Sequence, residues 1–281
     1  MFGGLLASLL YFVTDCDGTL CHYGAASPGL NETELVRLPP SSGSGAVAVV
    51  SQRSLELLGR VGGTATVVCA SGMRRSTALQ RLPLFPGIRW WVLENGGLVL
   101  EAVDGAFKEV AGWRESIGND AARAAMHSFA ELALSRGFRV DTRYETMLRV
   151  SGPGLQELVP LIPKELGYTS NLGHLDVVFS GVGKLPAVRW LLGRIHGQGG
   201  PPRFLFMGDD DNDVQIAAAA EHAFVTRPCS AGMRALVASL AEPADSSRVT
   251  VAAEEGPRGT EQLLDAVLRR LGGEGVHRAD L

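Results

Sequence analysis

The sequence has few of the residues that mark disulfide-rich, zinc-binding or nucleic-acid-binding proteins. Its 281 residues include only four cysteines, Cys16, Cys21, Cys69 and Cys229, which lack the paired spacing of a zinc site. We therefore expect reduced thiols in a reducing compartment, which predicts a cytoplasmic protein. The net charge is −4 and the sequence contains no block of lysine and arginine, so a nucleic-acid partner is not expected.

Long apolar runs are also missing. The apolar stretch over residues 5–13 is shorter than the roughly 20 residues that span a bilayer, and it leads directly into Asp15. It also lacks the basic flank of a signal peptide, so it predicts the first core strand and no membrane association. Hydrophobic residues make up 46% of the chain, which is ample for one large α/β domain with an insertion.

The most informative segment is Y-F-V-T-D-C-D-G-T at residues 11–19. Asp15 and Asp17 lie two residues apart after an apolar run that is typical of a strand. Like charges this close need a cation between them, and Mg²⁺ prefers carboxylate and carbonyl oxygens. Gly18 permits a sharp turn, and Thr19 can hydrogen-bond the loop. The structural alternative is a solvated Asp-Gly turn after an edge strand.

A second acidic segment follows an apolar run in the C-terminal third. Four of five consecutive residues are aspartate, namely Asp209, Asp210, Asp211 and Asp213, and a cation is again expected. An EF-hand is excluded because Val214 and Ala220 stand where that motif has glycine and glutamate. An N-cap for the helix predicted after Asp213 is compatible with metal binding, and we expect both.

Two further segments carry groups that could hold an anion. A buried strand predicted at residues 64–70 ends in Ser71 and Gly72, where a hydroxyl and a free N–H at a helix start would form an oxyanion pocket. Lys184 opens a helical pattern, and its charge opposes the helix dipole unless an anion lies nearby. A serine N-cap and an exposed surface lysine are the structural alternatives.

Short apolar runs alternate with helical stretches, which predicts a parallel sheet covered on both faces. The runs are residues 11–14, 64–70, 90–93, 204–207 and 223–225. The middle of the chain instead predicts a helix at 119–136, strands at 138–140 and 147–150, a helix at 155–166, and strands at 168–171 and 175–179. The segment G-S-G-A-V-A at 43–48 fits a dinucleotide-binding pattern, but no strand precedes it, so that interpretation is rejected.

Taken in order, these segments resemble the four motifs of the haloacid dehalogenase superfamily of phosphotransferases: D-x-D-G-T, a strand ending in Ser, a helix-opening Lys, and G-D-x-x-N-D. The segment L-E-N-G-G-L-V-L at 93–100 is similar to one in members with a large cap between motifs two and three, the sucrose-phosphate phosphatase and Cof-type sugar phosphatase subgroup. The resemblance implies an α/β protein with a Rossmann-like parallel-sheet core and an inserted α+β cap (αββαββ). It places the core in residues 1–110 and 181–281, and the cap in residues 111–180. Two features depart from the pattern: S-G-M-R at 71–74, which leaves the role of Arg74 open, and a stretch at 21–46 that is longer than the usual flap.

The same resemblance implies a role for each motif residue. Asp15 would be the nucleophile, and Asp17 the general acid and base. Mg²⁺ would be held by Asp15, by the backbone carbonyl of Asp17 and by Asp209. Asp213 would not bind the metal directly but would orient the groups that do. The groups that hold the phosphoryl oxygens would be Ser71, Gly72, Lys184 and Asn212. On the cap, Asn171 and His174 are candidates for contact with the leaving group of the substrate.

We thus predict a Mg²⁺-dependent phosphomonoester hydrolase that acts on a sugar phosphate or a related small phosphate ester through an aspartyl-phosphate. A phosphomutase of the phosphomannomutase type would use the same intermediate but return the phosphoryl group to a sugar. A binding module that keeps the fold without activity is the other alternative, because a fold alone does not establish chemistry.

Overall fold

The computed structural model describes residues 10–24, 30–42, 44–171, 173–197, 202–240 and 248–276. The strands are β1 (Leu10–Thr14), β2 (His22–Tyr23), β3 (Leu35–Arg37), β4 (Ala48–Ser51), β5 (Thr66–Ala70), β6 (Ile88–Leu93), β7 (Leu98–Val103), β8 (Ala106–Glu109), β9 (Arg139–Asp141), β10 (Met147–Ser151), β11 (Leu166–Asn171), β12 (His174–Phe179), β13 (Arg203–Gly208), β14 (His222–Val225) and β15 (Val249–Val251). The α-helices are α1 (Gln52–Gly62), α2 (Arg75–Arg81), α3 (Trp113–Ser116), α4 (Asp120–Ser135), α5 (Lys184–His196), α6 (Val214–Ala219), α7 (Ala231–Leu240) and α8 (Gly256–Val276).

The core of the molecule is an eight-stranded sheet in the order β15-β14-β13-β1-β5-β6-β7-β8. The first six strands of this order are parallel, whereas β7 and β8 extend the sheet in antiparallel fashion. Alternate residues of β1 point to opposite faces, because Phe12 packs with Leu57 and Leu264, while Val13 packs with Leu191 and neighbouring residues. The predicted parallel sheet with two covered faces is therefore confirmed. The antiparallel strands β7 and β8 at its edge were not predicted.

A separate antiparallel sheet in the order β11-β12-β10-β9, called the small sheet below, forms between β8 and α5 of the chain. Helix α4 covers one of its faces through Phe129, which packs with Val150 and Val177. The predicted helix at 155–166 is wrong, because two short 3₁₀ helices, Leu155–Glu157 and Val159–Leu161, lie there. Pro160 and Pro163 explain the difference, since each removes a backbone N–H donor and clashes with the preceding helical turn.

The long stretch that follows the first acidic segment folds into a third, three-stranded sheet in the order β2-β4-β3. Residues 25–29 of this stretch lie outside the described residues, as do Gly43 of the rejected dinucleotide pattern and residues 5–9 of the predicted first strand. The described part of that strand is β1. Within the described ranges, no helix combines the length and the apolar character needed to cross a membrane.

Candidate active site

Four neighbouring parallel strands end at one edge of the large sheet and bring the motif residues together. Asp15 follows β1, Ser71 follows β5, Glu94 follows β6 and Asp209 follows β13. Each of these four residues is buried. The carboxyl ends of parallel strands meet at the same edge, which is where open α/β sheets bind ligands. Asp15 and Asp209, which are 194 positions apart in the sequence, thereby reach one site.

Lys184 stands at the centre of this site. Its position is fixed because α5 packs Val188, Leu191 and other apolar residues against the sheet, so that the first residue of the helix points inward. The Lys184 ammonium donates to Asp15 Oδ1 at 2.8 Å, to Asp213 Oδ1 at 2.7 Å and to Asn212 Oδ1 at 3.3 Å. Only 3% of Lys184 is exposed, so the surface-lysine alternative does not hold.

The charges of this cluster do not balance without a further cation. Asp15, Asp209 and Asp213 are all buried, and each offers a carboxylate oxygen within 4.8 Å of the others. Burial and the other two carboxylates raise the pKa of Asp15 well above its usual range, and burial together with Asp213 raises the pKa of Asp209 to about 8. Burial lowers the pKa of Lys184, but Asp15 and Asp213 outweigh that effect and raise it. Three carboxylates around one ammonium therefore fit a divalent cation with oxygen ligands, such as Mg²⁺.

Gly18 is the residue that lets the two acidic segments approach each other. Its φ of +87° lies in the left-handed region, and a Cβ at this position would come within 2.4 Å of Asp209 Oδ2. The next residue, Thr19, donates its hydroxyl hydrogen to Asp209 Oδ1 at 2.6 Å. The glycine and threonine of D-x-D-G-T thus position the carboxylate of the other acidic segment.

Asp17 lies apart from the carboxylate cluster and faces a different set of groups. Its Oδ1 accepts hydrogen bonds from the Tyr23 hydroxyl at 2.6 Å, from Arg81 Nη1 at 3.2 Å and from the Cys21 thiol at 3.4 Å. Arg81 is fully buried and also donates to the backbone carbonyl of Pro39. The sequence contains no motif around Arg81 or Tyr23, so neither residue was predicted to belong to the site.

A cavity of about 760 Å³ opens between the edge of the large sheet and the small sheet. Seven of the predicted site residues line this cavity, namely Asp15, Asp17, Ser71, Gly72, Asn171, His174 and Asn212. Three arginines of this region line the cavity: Arg139 and Arg149 on strands of the small sheet, and Arg143 in the connection between β9 and β10. A ligand that reached Asp15 would therefore lie against both parts of the protein.

Asn171 and His174, the two predicted substrate contacts, have structural partners of their own. The amide nitrogen of Asn171 donates to Asp176 at 2.9 Å, and a Cβ on Gly72 would lie only 2.5 Å from it. Nδ1 of His174 is 2.9 Å from the Ser151 hydroxyl oxygen, and burial lowers the pKa of this histidine, which favours the neutral ring near pH 7. Both residues line the cavity, and their contact with a substrate stays a prediction.

Glu94 and Arg74 join the core to the small sheet. Glu94 is fully buried, and its Oε2 accepts from the backbone N–H groups of Glu145 and Thr146 and from the Thr146 hydroxyl, each at 2.9 Å. Burial raises the pKa of Glu94 above its usual range despite these hydrogen bonds. Arg74 donates to Asp141 of β9 and lies 4.7 Å from the centre of the Tyr144 ring. Arg74, which belongs to the segment at 71–74 that departs from the usual motif, thus provides a contact with the small sheet.

No protein-family model matches the chain, and no curated protein matches it in sequence. Solved structures do match. The sucrose-phosphatase from Synechocystis, in complex with sucrose and phosphate, superposes with a TM-score of 0.59 at 14% identity, over 92% of this chain and 97% of that one. A phosphatase of the haloalkanoate (HAD) enzyme superfamily from Bacteroides thetaiotaomicron gives 0.59 at 16% identity, over 97% and 98%. The C-terminal domain of C. albicans trehalose-6-phosphate phosphatase gives 0.59 at 14% identity, over 95% and 93%.

The chain therefore has the fold of the haloacid dehalogenase superfamily phosphatases, and the resemblance inferred from its motifs is confirmed for the fold. The matched structures include a sucrose-phosphatase and a trehalose-6-phosphate phosphatase domain. At 14–16% identity this likeness is one of fold, so the chemistry of this chain has to be argued from its own site.

Proposed function

We propose that this protein is a Mg²⁺-dependent phosphomonoester hydrolase that acts on a sugar phosphate or a related small phosphate ester. The observation that carries the proposal is the buried cluster of Asp15, Lys184, Asp209 and Asp213, of which Asp15 lines a cavity of about 760 Å³. Such a cluster joins a carboxylate nucleophile to charges that can neutralise a phosphoryl group, and phosphoryl transfer depends mainly on positioning and on charge neutralisation.

Each residue then has a chemical role. A carboxylate oxygen of Asp15 forms a bond to phosphorus while the ester P–O bond breaks, and Asp17 donates a proton to the leaving oxygen. Water next attacks the aspartyl-phosphate, its proton passes to Asp17, and phosphate leaves while the Asp15 carboxylate is restored. Mg²⁺, held by the carboxylates of Asp15 and Asp209 and by the Asp17 carbonyl, would neutralise charge on the phosphoryl group.

Other groups bind and orient the substrate in this proposal. The Lys184 ammonium and the Asn212 amide would hold phosphoryl oxygens, together with the Ser71 hydroxyl and the Gly72 N–H. The Ser71 hydroxyl oxygen accepts a hydrogen bond from the Met73 N–H at 3.1 Å, which fixes the serine side chain. Asp213 holds the Lys184 ammonium and also accepts from the backbone N–H of Asp209, so its role is to orient these two residues.

We include the domain organisation and the cellular location in the same proposal. Residues 111–180 form a cap over a core made of residues 1–110 and 181–281, and the cap excludes bulk water from the reaction. The ligand is a small phosphate ester rather than a nucleic acid. The location is cytoplasmic, supported by four cysteines that form no disulfide, three of them buried.

Phosphate release from a panel of sugar phosphates, measured with Mg²⁺ and with a chelator, tests the proposal. We expect turnover of at least one sugar phosphate with Mg²⁺, and its loss both with chelator and in the Asp15→Asn variant. Accumulation of an isomerised sugar phosphate instead of free phosphate would indicate a mutase. A protein that turns over no phosphate ester would contradict the proposal.

A further inference from the structure

Asp176 of the small sheet is a buried carboxylate that the proposed mechanism does not use. Its side chain is fully buried and accepts four hydrogen bonds. Arg149 makes two of them at 2.7 Å, and Asn171 makes one at 2.9 Å, both from within the small sheet. The fourth comes from outside that sheet, because Asn95, at the end of β6, donates to Asp176 Oδ2 at 2.7 Å.

The Asn95 side chain continues this contact into the phosphoryl site. Its Oδ1 accepts from the Asn212 amide at 3.0 Å, and Asn212 Oδ1 accepts from the Lys184 ammonium at 3.3 Å. Four side chains thus form a continuous series, called the amide chain here, in the order Asp176, Asn95, Asn212, Lys184. It begins on the small sheet and ends at the ammonium that holds Asp15.

The two ends of the amide chain determine its direction. The Asp176 carboxylate, paired with Arg149, can only accept hydrogen bonds, whereas the Lys184 ammonium can only donate. Asn95 must therefore turn its nitrogen toward Asp176 and its oxygen toward Asn212. Asn212 must in turn present its oxygen to Lys184. No other orientation of the two amides satisfies all three contacts, so Asp176 and Lys184 together fix how Asn95 and Asn212 face the phosphoryl site.

The backbone around Asn95 is built to hold this position. Its φ of +53° lies in the left-handed region, which asparagine and aspartate tolerate better than most residues. Its N–H donates to the Ser71 carbonyl oxygen at 3.2 Å, and a Cβ at Gly96 would lie 2.2 Å from the Gly183 carbonyl oxygen. Asn95 is therefore fixed between the segments that carry Ser71 and Lys184.

We propose that Asp176 and Asn95 are positioning residues that couple the docking of the small sheet to the orientation of Asn212 and Lys184. The inference rests on the proposed phosphatase function and deepens it. When the small sheet is docked, the amide chain is complete and the phosphoryl-binding groups are ordered. When it moves away, Asn95 loses its acceptor, the two amides are held only from the Lys184 end, and the groups that stabilise the transition state are less firmly oriented.

An exchange of the two side chains tests this coupling. Asn95→Asp places two carboxylates in direct contact, and Asp176→Asn removes the acceptor-only end of the chain. The double variant N95D/D176N does not recreate the native site, because an amide nitrogen at position 176 would face the donors of Arg149 and Asn171, so the variants are compared as a double-mutant cycle. Aspartate also suits the backbone at position 95. Asp104, exposed at φ +52°, provides a matched control, because Asp104→Asn exchanges the same two residue types at a left-handed position.

For each single variant we expect kcat to fall roughly tenfold or more, since a hydrogen bond to a charged group is lost. The loss should be similar for a sugar phosphate and for a small aryl phosphate, because the amide chain acts on the phosphoryl group that both share. Because both residues act through the same amide chain, the double variant should lose no more kcat than the more impaired single variant, and D104N should match the wild type. A loss confined to the sugar phosphate, or losses of the two single variants that simply add in the double variant, would overturn the proposal.

Hydrogen exchange measured without substrate provides a readout that does not depend on turnover. Amide exchange in β11–β12 and in the turn Asp211–Asp213 should rise together in N95D and in D176N, and should stay at wild-type rates in D104N. Exchange that rises in only one of these segments would contradict the coupling. If the wild type hydrolyses no phosphate ester, the proposed function fails, whereas exchange still decides whether the coupling exists.

Discussion

Asp209 gives a direct test of whether the buried carboxylates form a cation site. Burial and Asp213 raise the pKa of this residue to about 8 in the folded protein, against about 3.9 in an unfolded chain. Because the folded pKa is the higher one, this group favours folding fully below about pH 4, and the contribution is lost as the pH rises through about 8. Four pKa units correspond to up to about 5 kcal/mol, so the metal-free protein should lose stability over this range.

Mg²⁺ should reverse this loss, because a bound cation favours the ionised carboxylates. At a Mg²⁺ concentration about 100-fold above its Kd, the folded state gains about 2.7 kcal/mol, which corresponds to a rise in Tm of roughly 5–10 °C. Asp209→Asn keeps the acceptor for Thr19 but removes the buried charge. We therefore expect the metal-free variant to be more stable than the wild type near pH 8 and to gain little from Mg²⁺.

Thermal unfolding from about pH 5 to pH 9, with chelator and with excess Mg²⁺, measures both effects. Asp211→Asn is the control, since Asp211 is an exposed neighbour whose Oδ1 accepts from the Gly232 N–H and an amide oxygen could do the same. This control should behave as the wild type does. A wild-type Tm that responds neither to pH nor to Mg²⁺, or an Asp209→Asn variant that gains as much from Mg²⁺ as the wild type, would refute the reasoning.

The remaining predictions concern individual steps of the proposed reaction. Asp15→Asn should lower kcat by several orders of magnitude and leave the far-ultraviolet circular dichroism unchanged, and retention of more than a few per cent of activity would argue against a covalent role. Asp17→Asn should slow sugar phosphates more than an activated aryl phosphate, whose leaving group needs less protonation, and equal losses in kcat would contradict its acid role. Tyr23→Phe removes the hydroxyl that donates to Asp17, so kcat should fall several-fold while Tm stays near that of the wild type, because Tyr23 is 43% exposed. His174→Ala should reduce kcat/KM for the preferred substrate by roughly 5- to 150-fold, or about 1–3 kcal/mol, and should change it little for small generic esters; an equal effect on both would contradict a contact with the leaving group.

The parts of the fold that could be predicted from the sequence depend on local signals. The strand before Asp15 and the strand before Asp209 are short apolar runs that end in a glycine or in polar residues, and both form where they were expected. The helix at 119–136 also forms, with an asparagine N-cap whose side chain accepts from the Ala122 N–H. No α-helix forms at 155–166, because Pro160 and Pro163 interrupt the apolar pattern that predicts one.

The partners of the site residues could not be predicted, because they depend on pairings between distant segments. Arg81 lies 64 residues from Asp17, and Asp176 lies 81 residues from Asn95. Asp176 alternates with apolar neighbours, a pattern that does not determine which way its side chain points, and the structure places its carboxylate in the interior, where Arg149 balances its charge. Asn95 lies in a segment that the sequence connects only with a family resemblance. Its hydrogen bonds to Asp176 and Asn212 depend on the three-dimensional fold.

The hydrogen bonds at Glu94 and Asn95 determine what it costs to separate the small sheet from the core. One oxygen of the buried Glu94 carboxylate accepts three hydrogen bonds from Glu145 and Thr146 at the start of β10, so a separation here would leave a buried acceptor without its donors. The next residue, Asn95, holds β12 through Asp176, and lengthening that 2.7 Å contact by about one ångström would be enough to break it. Two adjacent residues after β6 thus hold two different strands of the small sheet, and a change at either position is transmitted to both parts of the protein.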